Sequence, residues 1–356
     1  MMKKKVLIST GGTGGHVIPA ITLYDHLKLN YETIISTDFR GLRYLDKDNY
    51  KYVVINTPKL NNVLLLPLTL LRLLFLIIKS ITILKKKKIS ILVSTGGYMS
   101  LPLCLAAKIM NIKIYLIEPN RVLGKANRYF LNFADKLICY SKNLINLSQK
   151  FEKKQVIIKP LIRKKYYENF KNSNEDNLFT IIIIGGSQGA KIFDTLINEV
   201  LLNISKICFL KVIHQTSEKN KDLLKRFYED NNIKNYVFTF DKDLDKLLKQ
   251  SDLCITRAGA SSLAELCLLK IPFITMPLPN SKDNHQYENA KFYENKECCW
   301  IIDQKNFDKK KFEKLLIKIS LKKEEYLIKK NNLEKLNYQN TWNNVNQDLL
   351  KILNEN

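Results

Sequence analysis

Two successive α/β halves, each a doubly wound parallel sheet with helices on both faces, are what this sequence predicts. Three observations lead there. Short β-branched runs recur along the chain and end directly in glycine-rich turns. Segments of roughly 10–20 residues with helical spacing lie between these runs. The pattern then starts again after a polar stretch near the middle of the chain.

The first strand is Lys5–Thr10, closed by Gly11 and Gly12. Its lysine-led start resembles a signal peptide, but the apolar run breaks after a few residues, so it reads as a strand. A helix is expected over Ala20–Leu29. Val63–Leu84 is the one stretch near membrane-spanning length, interrupted by Pro67, Thr69, Arg72, Lys79, Ser80 and Thr82 and followed by Lys85–Lys88. Placing Arg72 at the middle of a spanning helix would cost about 2.5 kcal/mol. Two readings therefore stay open: an apolar helix lying on a membrane surface with lysines at anionic headgroups, or a buried helix of the first half.

Ile89–Ser94 is the next strand, ending at Gly96-Gly97, and Leu101–Met110 the next helix. Ile112–Ile117, Lys136–Cys139 and Gln155–Ile158 are further strands. Lys164–Asn177 is polar and aperiodic, the approach to a linker. The second half opens with Phe179–Ile184 and the turn Gly185–Ala190. Strands at Phe209–His214, Leu253–Thr256 and Pro272–Met276, a helix at Leu263–Leu269 and a helical tail from Asp303 complete it. The expected division is residues 1–160, residues 161–338, and a C-terminal helix, residues 339–356, packing back on the first half.

Composition narrows the class. The 356 residues are 46% hydrophobic, enough for two cores. Seven cysteines are scattered without a CxxC pair, and the four histidines lack metal-ligand spacing, so reduced thiols in a cytoplasmic protein and no metal site are expected. The net charge of +24 fits anionic lipid or phosphorylated substrates, or compositional drift toward lysine. No nucleic-acid-binding module signature is present, and no nucleic-acid partner is expected.

The turns carry the chemistry. Gly11-Gly12-Thr13-Gly14-Gly15-His16 brings backbone N–H groups and a helix N-terminus toward an anion. Val17 stands where a dinucleotide fingerprint needs its third glycine or alanine, which excludes that motif. Gly185-Gly186-Ser187-Gln188-Gly189-Ala190 lacks the Gly-Lys-Ser/Thr of a nucleoside triphosphatase. Gly96-Gly97-Tyr98-Met99-Ser100 is a third such turn. Ser262-x-x-Glu265 also reads as a capping box, as does Asp283 with Gln286. Asp46-x-Asp48 and Asp241-x-Asp243 read as solvated acids.

Taken together, these residues resemble the bacterial MurG family of UDP-N-acetylglucosamine transferases, members of glycosyltransferase family 28. The matching segments are Gly11–His16 with Pro19, Gly96-Gly97-Tyr98-x-Ser100-x-Pro102, Glu118-x-Asn120 with Gly124 and Asn127, and Pro160-x-x-Arg163. The second half adds Gly185–Ala190, His214-Gln215, Arg257-x-Gly259-Ala260 to Glu265, Pro272, and Asp283-x-x-Gln286-x-x-Asn289-Ala290. The series keeps the family's order and spans most of the chain. Leu101, Pro119, Ser217 and Asp241 depart from the family's usual residues.

The resemblance implies a GT-B architecture, two Rossmann-like domains facing a cleft, and an inverting, metal-independent transfer without cofactor. It implies UDP-N-acetylglucosamine as donor and undecaprenyl-diphospho-N-acetylmuramoyl-pentapeptide (lipid I) as acceptor, at the cytoplasmic face of the cell membrane. Thr13, Gly14, Gly15, Asn120, Arg163 and Ser187 match donor-binding positions. So do Asp241, Ala260, Ser261, Ser262, Leu263, Ala264, Glu265 (holding the ribose hydroxyls) and Gln286 (reading the sugar). Gly96, Gly97, Tyr98, Ser100, Glu118 and Asn127 are acceptor-side candidates. His16 is the candidate general base, since an imidazole accepts a proton near neutral pH. Two other readings share these features: a diacylglycerol glycosyltransferase of similar build, and a nucleotide-sugar-binding protein without catalysis.

Overall fold

Alternate residues of the central strands of the first half face opposite ways, and both faces are apolar. Val6, Ile8, Ile91, Val93, Tyr115 and Ile117 enter one core, whereas Leu7, Leu92, Ile114 and Leu116 enter another. A strand buried on both sides is the mark of a parallel sheet covered by helices on each face. The computed structural model describes residues 3–58, 66–168, 178–186, 191–321, 324–337 and 339–355. Chain contacts divide it into two units, Met1–Ile162 with Thr341–Asn356, and Arg163–Asn340.

Unit 1 runs β1 (Lys5–Ser9), α1 (Gly14–Leu27), β2 (Glu32–Thr37), β3 (Tyr52–Val54), α2 (Leu66–Lys86), β4 (Ile91–Ser94), α3 (Leu101–Ile109), β5 (Lys113–Glu118), α4 (Lys125–Phe130), β6 (Lys136–Cys139) and β7 (Gln155–Ile157). Its seven strands are parallel, in the order β3-β2-β1-β4-β5-β6-β7. Helix α1 starts well before the expected Ala20, because Gly14 and Gly15 already take helical geometry and Pro19 lies inside the helix. The expected β5 and β6 runs are found within a residue. β2 and β3 were not anticipated: neither ends in a glycine turn, and β3 is a three-residue edge strand.

Unit 2 runs β8 (Phe179–Ile184), α5 (Phe193–Leu196), α6 (Asn198–Ser205), β9 (Leu210–Gln215), α7 (Glu218–Asp230), β10 (Lys234–Phe238), α8 (Leu244–Lys249), β11 (Leu253–Thr256), α9 (Ala260–Leu268), β12 (Phe273–Thr275), α10 (His285–Glu294), β13 (Cys299–Ile301), α11 (Lys309–Ser320) and α12 (Glu324–Leu336). The six strands are again parallel, ordered β10-β9-β8-β11-β12-β13. All six residues of β8 are buried at the centre. Edge strands β10 and β13 escaped the sequence pattern, one because polar residues break its apolar run, the other because it is three residues long.

Helix α2 settles between its two readings in an unexpected way. Leu76, Ser80 and Leu84 are buried, the two leucines in the core shared with α3 and the sheet, whereas Leu68, Leu71, Leu74, Phe75 and Ile78 lie open, each more than half exposed. It is therefore not a buried helix: one face packs and the other is an exposed apolar stripe at helical spacing. Among the described residues it is the one helix long and apolar enough to cross a membrane.

The last helix, α13 (Trp342–Asn354), belongs to unit 1. Thr341 caps it by accepting the N–H of Asn344 at 3.2 Å. Val345, Leu349, Ile352 and Leu353 join the core beneath α1. Tyr31 donates to Asn354 Oδ1 at 2.8 Å. At the other end Trp342 stacks on His26, with ring centroids 3.5 Å apart and planes 14° from parallel. His26 is buried, and desolvation drives its pKa down to about 4, against a hydrogen bond to Asn346 that raises it.

The unfolded chain therefore takes up this proton at higher pH than the folded one. Stability is fully present above the ordinary histidine range and falls as pH drops from about 6.5 toward 4. The loss amounts to about 2 kcal/mol at pH 5. Urea unfolding at pH 7 and pH 5 is expected to show this drop in the unaltered chain and a clearly smaller one in His26→Phe.

Candidate functional site

In each sheet the strand order reverses once, between β1 and β4 in unit 1 and between β8 and β11 in unit 2. At such a reversal the connections leave in opposite directions and open a crevice at the carboxyl ends of the strands. Both glycine turns of the first half sit there. Gly11 and Gly12, at φ 153° and 80°, follow β1, and Gly96 and Gly97, at φ 86° and 83°, follow β4. Met99 wedges between the two turns: a Cβ on Gly12 would stand 2.9 Å from its Cε, and one on Gly97 2.8 Å.

Thr13 precedes α1 and is exposed, and Gly14 and Gly15 form the helix's first turn. His16 is half-buried, and its Nδ1 lies 2.8 Å from the carbonyl oxygen of Thr95, at the end of β4. A carbonyl only accepts, so neutral His16 carries its proton on Nδ1 and leaves the Nε2 lone pair free. A Cβ on Gly97 would stand 3.6 Å from that Nε2, so glycine keeps the space beside the imidazole open. Thr95 is itself fixed by a hydrogen bond from its hydroxyl to Thr10 Oγ1 at 2.8 Å.

Beside these turns, Glu118 is a buried hub. It accepts from the Asn120 N–H at 3.2 Å and the Asn120 side chain at 3.0 Å, both on Oε1. Its Oε2 accepts from the Gly124 N–H at 2.9 Å and from Asn127 Nδ2 at 3.0 Å. Asn127 lies under the third turn, where a Cβ on Gly96 would press on its amide at 3.2 Å. Ser100 closes that turn by donating to the Gly96 carbonyl at 3.2 Å. Gly96, Gly97, Ser100, Glu118, Asn120 and Asn127 thus form one connected assembly.

Asp38 and Arg40, which no motif in the sequence marks, complete it. Asp38, just past β2, accepts the N–H groups of Gly12 and Gly41 at 2.8 and 2.9 Å and pairs with Arg40. Burial alone would raise its pKa; the Gly12 and Gly41 amides and Arg40 outweigh that and hold it below the usual carboxylate range. The available signal was the acid directly after Glu32–Thr37, visible only once β2 is recognised as a strand.

In unit 2, Arg163 donates to Glu265 Oε1 from Nε at 3.2 Å and Nη2 at 2.9 Å, and to the Tyr166 hydroxyl at 2.6 Å. Burial pushes the Glu265 carboxyl upward, and Arg163 is the cation that opposes this. The capping-box reading of Ser262 and Glu265 is corrected here. The N-cap of α9 is Gly259, so Ser262 is the third helical residue and Glu265 the sixth, with its carboxylate on Arg163. Ala260, Ser261 and Ser262 line the open first turn, while Leu263 and Ala264 are buried.

Asp283 does not cap either: Asn284, in the left-handed region, precedes α10. Gln286 instead accepts the Leu278 N–H at 2.9 Å, and Asn289 donates to the Ala258 carbonyl at 3.1 Å, tying α10 to the loops after β12 and β11. Asp241 accepts from the Tyr236 hydroxyl and the Asp243 N–H, at 2.9 and 2.7 Å. Gly185 and Gly186 follow β8 as expected; Ser187 lies outside the described residues.

Residues 6–139 match the glycosyltransferase family 28 N-terminal domain, and residues 180–342 the family 28 C-terminal domain. A UDP-N-acetylglucosamine–N-acetylmuramyl-(pentapeptide) pyrophosphoryl-undecaprenol N-acetylglucosamine transferase from Pelagibacter ubique is 47% identical over 356 residues, covering 100% of both chains. The Rickettsia canadensis transferase of the same name is 35% identical, covering 89% of this chain and 91% of its own. The crystal structure of Acinetobacter baumannii MurG aligns with a TM-score of 0.75 at 24% identity, over 98% of each chain, and shares the fold. The chain belongs to glycosyltransferase family 28, among the bacterial UDP-N-acetylglucosamine–N-acetylmuramyl-(pentapeptide) pyrophosphoryl-undecaprenol N-acetylglucosamine transferases.

Proposed function

We propose that this chain moves N-acetylglucosamine from UDP-N-acetylglucosamine to the 4-hydroxyl of undecaprenyl-diphospho-N-acetylmuramoyl-pentapeptide, with unit 1 taking the acceptor and unit 2 the donor. The observation that carries the mechanism is the His16 Nδ1 contact with the Thr95 carbonyl, which leaves Nε2 as a base at the switch point of unit 1. The acceptor hydroxyl gives its proton to Nε2 while its oxygen attacks the anomeric carbon. The bond from that carbon to the diphosphate breaks, inverting the centre, and UDP leaves with the electron pair. The growing charge on the leaving group meets backbone N–H groups, the N-terminus of α9 and Arg163. Thr13, Gly14, Gly15, Asn120, Ser187, Asp241 and Ala260 to Ala264 are read as donor contacts. Glu265 takes the ribose hydroxyls, and Gln286, steadied by the Leu278 amide, reads the sugar.

A labelled-sugar assay with a lipid I analogue, and UDP-glucose as control, tests the reading: label is expected on the acceptor from UDP-N-acetylglucosamine and not from UDP-glucose. No label on the acceptor would refute it. Transfer is expected to continue in the presence of a chelator.

His16→Ala is expected to cut kcat by about a hundredfold or more while UDP-N-acetylglucosamine binding stays near normal. A kcat within threefold of the unaltered enzyme would remove His16 from the base role. Glu265→Gln is expected to raise KM for UDP-N-acetylglucosamine about tenfold and leave the acceptor's KM in place.

The exposed stripe of α2 supports a peripheral seat on the membrane, and Lys85 and Lys86, with Lys87 and Lys88 beyond, support anionic headgroups as its partner. Seven free cysteines, six of them buried, are in keeping with the cytoplasmic face. Burying one leucine or phenylalanine contributes about 1.5–3 kcal/mol. Leu71→Ser together with Phe75→Ser is therefore expected to weaken co-sedimentation with anionic vesicles more than tenfold, with transfer to a water-soluble acceptor retained.

A further inference from the structure

One strongly built group takes no part in the mechanism above. Arg40 stands at the end of β2, beside the first glycine turn: a Cβ on Gly12 would lie 3.8 Å from its Nη2. Asp38, buried, takes Arg40 Nε at 2.8 Å and Nη2 at 2.7 Å on a single oxygen, while its other oxygen takes the amides of Gly12 and Gly41. Arg40 Nη2 also donates to the Tyr98 hydroxyl at 2.6 Å, and the guanidinium carbon lies 5.5 Å from the centre of the Tyr98 ring. A guanidinium has five N–H donors. Three are spent on this brace, and among the described residues the two on Nη1 have no partner.

Surface arginines ordinarily pay rotamer entropy to hold any one geometry. This one is already held by two elements, Asp38 after β2 and Tyr98 after β4, yet its side chain is 44% exposed. Half the negative charge of Asp38 is turned toward backbone amides, so the guanidinium is not fully neutralised where it faces solvent. The two N–H groups of Nη1 are thereby fixed and open away from each other, a fork that suits oxygens on the two neighbouring phosphates of a diphosphate rather than both oxygens of one carboxylate. Such a pre-formed fork binds without first paying to order itself.

We infer that Arg40 is the acceptor-side phosphate contact: its Nη1 holds the diphosphate of the lipid-linked acceptor while His16 faces the acceptor's hydroxyl. This rests on the reading given under Proposed function. Asp38 and Tyr98 are the positioning residues that aim the fork. The same phosphate chemistry is offered by the donor's diphosphate and by membrane headgroups, and the test separates the three.

The assay uses the full chain with a short-chain, water-soluble lipid I analogue, so that no vesicle is present, and varies each substrate in turn. Arg40→Gln is expected to raise the acceptor's KM about tenfold or more, with KM for UDP-N-acetylglucosamine within twofold. Inorganic diphosphate is expected to compete with the acceptor in the unaltered enzyme and to bind about tenfold more weakly to the variant. Arg40→Lys keeps the charge without the fork and is expected to fall between, which serves as the second variant should Arg40→Gln fold poorly. Raising ionic strength is expected to raise the acceptor's KM in the unaltered enzyme and less so in Arg40→Gln.

An unchanged acceptor KM in both variants overturns the inference. A rise confined to the donor's KM overturns it in favour of UDP; an unchanged acceptor KM in this assay with weaker co-sedimentation of Arg40→Gln with anionic vesicles, measured separately, overturns it in favour of headgroups. Absence of transfer by the unaltered enzyme overturns the underlying reading and this inference with it.

Discussion

The constraint on which everything else rests is the reversal of strand order in a wholly parallel sheet. Parallel strands put all their carboxyl ends on one edge, and the change of direction between β1 and β4 leaves a place there that no connection crosses. At that place two glycine turns from distant parts of the chain come together. The imidazole of His16 spans them through Thr95, and the thioether of Met99 fills the gap between them. Unit 2 repeats the construction at β8 and β11, with the first turn of α9 at the equivalent edge.

Charge in this protein is organised on the same plan. Three of its buried carboxylates are each surrounded by donors that hold loops in place. Glu118 gathers Asn120, Gly124 and Asn127, Asp38 gathers Gly12, Gly41 and Arg40, and Glu265 gathers Arg163. A buried charge without such partners would be strongly destabilising. The partners therefore set the shape of the turns as much as the turns set the position of the acids. The result is that the glycine turns and the guanidiniums of Arg40 and Arg163 are held in place by buried acids.

Much of this was legible from sequence alone. The buried strands β1, β4, β8 and β11 announce themselves by β-branched runs ending in glycine, and that pattern carried the fold class and the family. The positive φ values of Gly12, Gly96, Gly97 and Gly186 are what those glycines are for. Where the pattern lacked a glycine stop or an unbroken apolar run, as in β2 and β10, the strand went unseen. With β2 went Asp38 and Arg40.

The sequence by itself determined the two-part α/β plan, the glycine turns, the histidine beside them and the apolar character of α2, because each depends on residues close together along the chain. Only tertiary structure decided what those pieces face. Ser262 and Glu265 satisfy the spacing of a capping box, yet Gly259 starts the helix and Arg163, a hundred and two residues away, claims the carboxylate. Likewise no local pattern says that one face of α2 stays open, or that the last helix returns to stack Trp342 on His26. Periodicity reports which residues share a face; which neighbour covers that face is settled by the packing of segments remote in sequence.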